Sequence, residues 1–127
     1  DNMPEEPVYL YLLGCEGVAV HSKIGIAKNP EKRVKGLQCG NPNIIWLVSA
    51  WKFPTKAAAE VREKILHSVF RDFRATGEWF SVPPQLLRPF VMSVLNDISM
   101  GVSNADQLQE WSIMFHDNFI YGQGSIE

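Results

Sequence analysis

Four polar side chains of different kinds stand at intervals that four secondary-structure elements could bring together: Tyr11, Lys23, Arg33 and Glu63. A phenol, an ammonium, a guanidinium and a single carboxylate suffice to cut a phosphodiester. The carboxylate holds one divalent metal ion, which polarises the phosphate and stabilises the leaving oxygen. The guanidinium binds the phosphate and its developing charge. The phenol, with its pKa lowered by the neighbouring cations, takes a proton from water. His67 falls one helical turn after Glu63 and reads either as a proton donor or as a structural hydrogen bond. Tyr9 shares a strand face with Tyr11 and is the alternative phenol. Nucleophile-elbow, Walker, dinucleotide and HExxH signatures are absent, and His21 and His116 have no second ligand at metal spacing.

The elements that must position these groups are short. Val8 to Leu13 is an apolar, aromatic run that predicts a central strand. Gly14-Cys15-Glu16-Gly17 is a turn, and Val18 to Ala27 a second strand closing a hairpin. Asn29-Pro30-Glu31 caps a helix over Pro30 to Gln38, stopped by Gly40-Asn41-Pro42. Ile44 to Phe53 reads as a third strand. Thr55 caps a second helix running to about Arg74, with Ala58, Val61, Ile65, Leu66, Val69, Phe70 and Phe73 as its core face. Arg62 falls near the centre of that arc, which its charge does not explain. A last short strand fits near Trp79, and Trp79 and Phe80 are expected to pack under the second helix. Gln85 to Met100 and Asn104 to Phe119 read as two further helices, with a frayed tail from Tyr121. The order predicts an α+β fold: a small, mainly antiparallel three-stranded sheet flanked by helices, plus two C-terminal helices. Residues 1–7 are expected to be flexible, 8–84 to form the core, and 85–127 to be a helical extension packed on it.

With 127 residues, 46% of them hydrophobic and 20% charged, the chain is a one-domain globular protein rather than a disordered one. No apolar run approaches the ~20 residues of a membrane span. The acidic start does not read as a secretory leader. Cys15 and Cys39 make neither a zinc motif nor a disulfide framework, which favours the cytoplasm. The net charge of −2 conceals an asymmetry: Val8 to Pro84 carries 11 Lys/Arg against 6 Asp/Glu, whereas Gln85 to Glu127 carries 1 against 5. The basic part suits a polyanion, and the acidic part argues against nucleic-acid contact there. The apolar faces after Pro84 are expected to cap the core, or else to meet a second copy or a protein partner.

In order and spacing the segment resembles the GIY-YIG nuclease superfamily, nearest the phage-associated branch whose second motif reads KIG. Tyr9-Leu10-Tyr11 stands in place of the first triplet and Lys23-Ile24-Gly25 in place of the second. Lys28 to Arg33 matches the stretch delivering the family arginine, Glu63 to His67 the helix of the metal-binding glutamate, and Gly77-Glu78-Trp79-Phe80 the closing pattern. The resemblance covers Val8 to Val82. It implies a DNA endonuclease dependent on one Mg²⁺ or Mn²⁺ ion and of low intrinsic sequence specificity, with RNA as the other candidate substrate. Tyr11 would be the general base or a water-positioning phenol, Arg33 the phosphate clamp and Glu63 the metal ligand. Lys23 would hold the phosphate or depress the Tyr11 pKa. Lys28, Lys32, Arg33 and Lys35 would grip the backbone. The asparagine that closes the site in other branches has no counterpart; Glu78 is the nearest polar group. The competing reading is a non-cutting nucleic-acid-binding or adaptor module working through the C-terminal helices.

Overall fold

The computed structural model describes residues 5–17, 19–101 and 105–124, with the side chains of the last helix described over 106–117. Val18 and Asp1 to Pro4 lie outside the described residues. The strands are β1 (Val8–Cys15), β2 (His21–Ala27), β3 (Ile45–Phe53) and β4 (Trp79–Phe80), and the helices α1 (Pro30–Gln38), α2 (Lys56–Val69), α3 (Pro84–Ser99) and α4 (Ala105–Gly124). The sheet is four-stranded, in the order β3-β1-β2-β4, and antiparallel throughout. This corrects the three-stranded expectation. β4 has only two residues, too few for a periodic signal, and forms because the chain after α2 doubles back against β2, pairing with Ser22 and Lys23.

Local capping chemistry sets α1. The Asn29 side chain accepts from Lys32 N at 3.1 Å, Pro30 occupies the first turn, and Gly40 takes the left-handed φ of 78° beyond the end. Gln38 then wires the following loop. Its Nε2 donates to Asn41 O at 3.1 Å and Asn43 O at 2.8 Å, and its Oε1 accepts from Ile45 N at 2.8 Å. Gln38→Ala strips three backbone groups of a partner and is expected to destabilise the protein by about 1–3 kcal/mol. Urea unfolding would read this as a lower midpoint at unchanged slope.

β1 is covered on both faces, so it reads as a continuous apolar run rather than an alternation. On one face Leu10, Leu12 and Ile24 join Leu66, Phe70, Phe80, Val82, Leu87, Val91, Trp111 and Phe115 in the main core beneath α2, α3 and α4. On the other, Tyr11, Leu13, Cys15 and Ile45 form a smaller cluster with Val34 and Leu37 of α1 and with Trp79. Trp111 donates to Asp97 Oδ2 at 2.8 Å, tying α4 to α3.

α2 begins as its cap predicts, Thr55 accepting from Ala58 N, but ends at Val69; a 3₁₀ turn over Arg71–Phe73 replaces its expected last turn. Its buried face centres on Ala59, Leu66 and Val69, while Val61 is 53% exposed. Arg62 explains the displaced arc. Its Nη1 donates to Ala58 O and its guanidinium lies over the Phe53 ring at 4.7 Å, so an apparently polar position contributes packing. β1 continues through Cys15 where a turn was expected. Trp79 packs on the face opposite α2, and only Phe80 lies under that helix. α4 runs on to Gly124 where fraying was expected.

Candidate active site

The site forms where β2 runs out of partners. β4 pairs only with Ser22 and Lys23, and among the described residues the outer edge of β2 beyond Lys23 has no strand beside it. Groups from both sheet faces can therefore meet at that edge. His67 of α2 uses it directly: its Nε2 lies 2.8 Å from Ile24 O. A carbonyl only accepts, so Nε2 carries the proton in this bond. His67 also stacks obliquely on Phe80, with ring centroids 5.1 Å apart.

Tyr11 and Gly25 are direct partners in the β1–β2 register. The Tyr11 ring lies across Gly25 so closely that a Cβ there would sit 2.6 Å from Tyr11 Cζ. The glycine is the space the phenol occupies. Its hydroxyl feels the charge of the Arg33 guanidinium and of the Glu78 and Glu63 carboxylates. Burial is the largest influence and pushes the Tyr11 pKa above 10.0; Arg33 opposes it only in part. This corrects the expectation of a depressed phenol. Tyr11 is 2% exposed, so loss of hydration outweighs the pull of one guanidinium on the exposed side of α1. Arg33, not Lys23, is the cation whose charge acts on it.

Lys23 shares the Tyr11 face, opposite Leu13. Its Nζ is 2.6 Å from Glu78 Oε2 and 5.6 Å from the centroid of the Trp79 ring. The lysine side chain is 7% exposed and the glutamate 50%. The hydrogen bond from Lys23, with further help from His67 and Arg33, holds the Glu78 carboxyl below its ordinary 4.5. A lowered carboxyl pKa contributes stability above the ordinary value and loses it as pH falls through the lowered one. The urea-midpoint gap between wild type and Glu78→Gln should therefore be steady above pH 4.5 and close below it; a gap that widens on acidification would contradict the pair.

Glu63, half-buried on α2, is pushed above 4.5 mainly by desolvation, with Glu78 and Glu60 adding to the rise and His67 and Lys23 opposing it. Among the described residues no group of three His, Cys, Asp or Glu could hold a metal ion. A hard divalent ion such as Mg²⁺ binds through one or two carboxylates plus phosphate oxygens and water, whereas zinc asks for more protein ligands.

Tyr11, Lys23, Arg33, Glu63 and His67 thus lie near one sheet edge, and Glu78, assigned no catalytic role from the sequence, joins them. Its signal was the unfilled closing position; its contact with Lys23, 55 residues away, is purely tertiary. Tyr9 stands apart, lining an open depression with Lys28, Asn29 and Pro30. Lys28, Lys32 and Arg33 line a neighbouring one, and Lys35 is exposed in the last turn of α1. Lys28 also pairs with Glu6 at 3.2 Å. Both cysteines are free; burial raises the Cys15 pKa, and its thiol donates to Glu16 O.

The fold is thus an α+β domain whose four-stranded antiparallel sheet gathers a phenol, two cations and two carboxylates near one edge. The family model described as T5orf172 domain matches residues 8–97, and the chain belongs to that family. It is a phage-associated domain related to nucleases of the GIY-YIG and HNH-like kinds, and membership is consistent with a nuclease-like function and with DNA as ligand. The match takes in the whole sheet, α1, α2 and most of α3. No curated protein and no solved structure matches the chain. Among the described residues no helix is long and apolar enough to cross a membrane.

Proposed function

We propose that this chain is a divalent-metal-dependent endonuclease of the GIY-YIG type, hydrolysing DNA phosphodiester bonds with little intrinsic sequence preference. The observation that carries the reading is the gathering of Tyr11, Arg33, Glu63 and Glu78 within electrostatic reach of one another, beside the Lys23–Glu78 ion pair. Arg33 binds the non-bridging oxygens of the scissile phosphate and takes up the charge that develops there. Lys23, held by Glu78, supplies a second positive charge beside it. Tyr11 keeps its proton near neutral pH and orients the attacking water, a positioning role rather than that of a base. Glu63 would hold one Mg²⁺ or Mn²⁺, which when bound would polarise the phosphate and stabilise the leaving oxygen. The water oxygen bonds to phosphorus as the bond to the leaving oxygen breaks, and the water proton ends on that oxygen or in solvent. Lys28, Lys32 and Lys35 hold flanking phosphates without reading bases. The free cysteines suit a reducing, cytoplasmic setting.

The test is cleavage of plasmid, linear duplex, single-stranded DNA and RNA with Mg²⁺, Mn²⁺ or EDTA. Metal-dependent cutting of DNA, lost in Glu63→Ala and Arg33→Ala, is the expected result. Binding without cutting under every metal would replace this reading with that of a non-cutting nucleic-acid module.

A further inference from the structure

Beside the proposed phosphate site lies a second concavity, and Trp79 lines it while also lying against Lys23. We propose that this concavity receives a nucleobase of the strand held at the site; this rests on the nucleic-acid reading above and assigns the substrate a base-binding subsite. Three stretches of chain line it: the connection from β1 into β2, with Glu16 and His21, and two walls held by their own hydrogen bonds. One is the loop after α1, where Asn41 and Asn43 face the cavity. Gln38 fixes that loop through the carbonyls of both, and Asn41 Oδ1 accepts from Asn43 N at 2.9 Å. The other wall is the turn leading into β4, with Thr76 and Trp79. There Trp79 N donates to Thr76 O, Ala75 N to Trp79 O at 2.8 Å, and Arg74 Nε to Gly77 O at 2.8 Å. Both walls are thus set before a ligand arrives, as small-molecule pockets usually are.

The chemistry of the lining selects the occupant. It includes no lysine or arginine, and its one charged group is the Glu16 carboxylate. Phosphate is therefore repelled here, in contrast to the face of α1. An indole offers a stacking surface that tolerates any base, and side-chain amides offer donors and acceptors to a base edge. His21 adds a ring whose Nδ1 is engaged with Ala19 O. With the Lys23 ammonium 5.6 Å from the Trp79 ring centre, phosphate and base sites share one aromatic side chain, as the parts of a single nucleotide would require.

Nuclear magnetic resonance of the ¹⁵N-labelled full chain tests this with adenosine, cytidine, guanosine and thymidine, and separately with inorganic phosphate. Nucleosides are expected to move the Trp79 indole N–H and the Asn41 and Asn43 backbone amides saturably. Phosphate should leave these in place and move the Arg33 side chain. Asn43→Ala, an exposed position whose backbone bonds survive, should weaken nucleoside binding several-fold. An abasic site scanned along a bound oligonucleotide should lower affinity about tenfold at one position, the size of one base–aromatic contact. Unmoved Trp79 and Asn43 signals up to the solubility of every nucleoside, or the same shifts with phosphate, would overturn the proposal. Cleavage without nucleoside shifts would remove the base site alone; nucleoside shifts without cleavage would remove the nuclease reading alone.

Discussion

Arg33→Ala is expected to lower the rate of strand cutting by about 10²–10³-fold, the cost of removing a preorganised donor to transition-state charge. Arg33 is exposed on α1, so the loss should come without a change in fold or more than a small shift in melting temperature. Its effect on the Tyr11 hydroxyl adds a second signature. Without the guanidinium, the phenol loses the influence that pulls its pKa down and should titrate at still higher pH, visible by ultraviolet difference absorption. Glu63→Gln should cut as poorly, again without a loss of stability. Desolvation already disfavours the Glu63 carboxylate, so a neutral isostere should leave the protein equally or more stable. Cutting that survives both substitutions would place the chemistry elsewhere. Loss of cutting accompanied by unfolding would mean the residues are structural.

Gly25→Ala is expected to destabilise the protein by about 1–3 kcal/mol, as overpacking typically does, and to suppress cutting with it. The added methyl would overlap the Tyr11 ring, and neither side can yield easily: Gly25 is mid-strand and Tyr11 is held among Leu13, Cys15 and Ile45. Two variants separate sterics from backbone effects. If the clash is the cause, Tyr11→Leu with Gly25→Ala should cost less than the sum of the single changes in urea unfolding. Additive costs would trace the damage to the strand instead. The double variant should still cut poorly, because the phenol is gone.

The helix start at Asn29-Pro30 and the stop at Gly40 are local chemistry, and α1 could be read to the residue for that reason. The sheet was less legible. β4 is two residues held by a partner strand more than 50 residues earlier, and no periodicity announces it. The face of α2 was legible from Ile65 to Phe73 but not in its first half, because Val61 looks like core and Arg62 does not. In the fold Arg62 lies along Phe53, while Val61 faces solvent.

The candidate site divides along the same line. The residue types, their order and the glycine after Lys23-Ile24 are properties of the chain, and they were enough to suggest phosphate chemistry. Burial and pairing are not. Counting cations near Tyr11 predicted a lowered phenol pKa, whereas packing dehydrates the hydroxyl and raises it. Lys23 looked like a free ammonium, and the fold gives it to Glu78. Meeting at one edge also required that β4 stop short, leaving the far half of β2 open to α1 on one face and α2 on the other. Caps and apolar runs act between near neighbours and are written into the sequence; desolvation, edge pairing and ion pairs 55 residues apart exist only once the chain has packed.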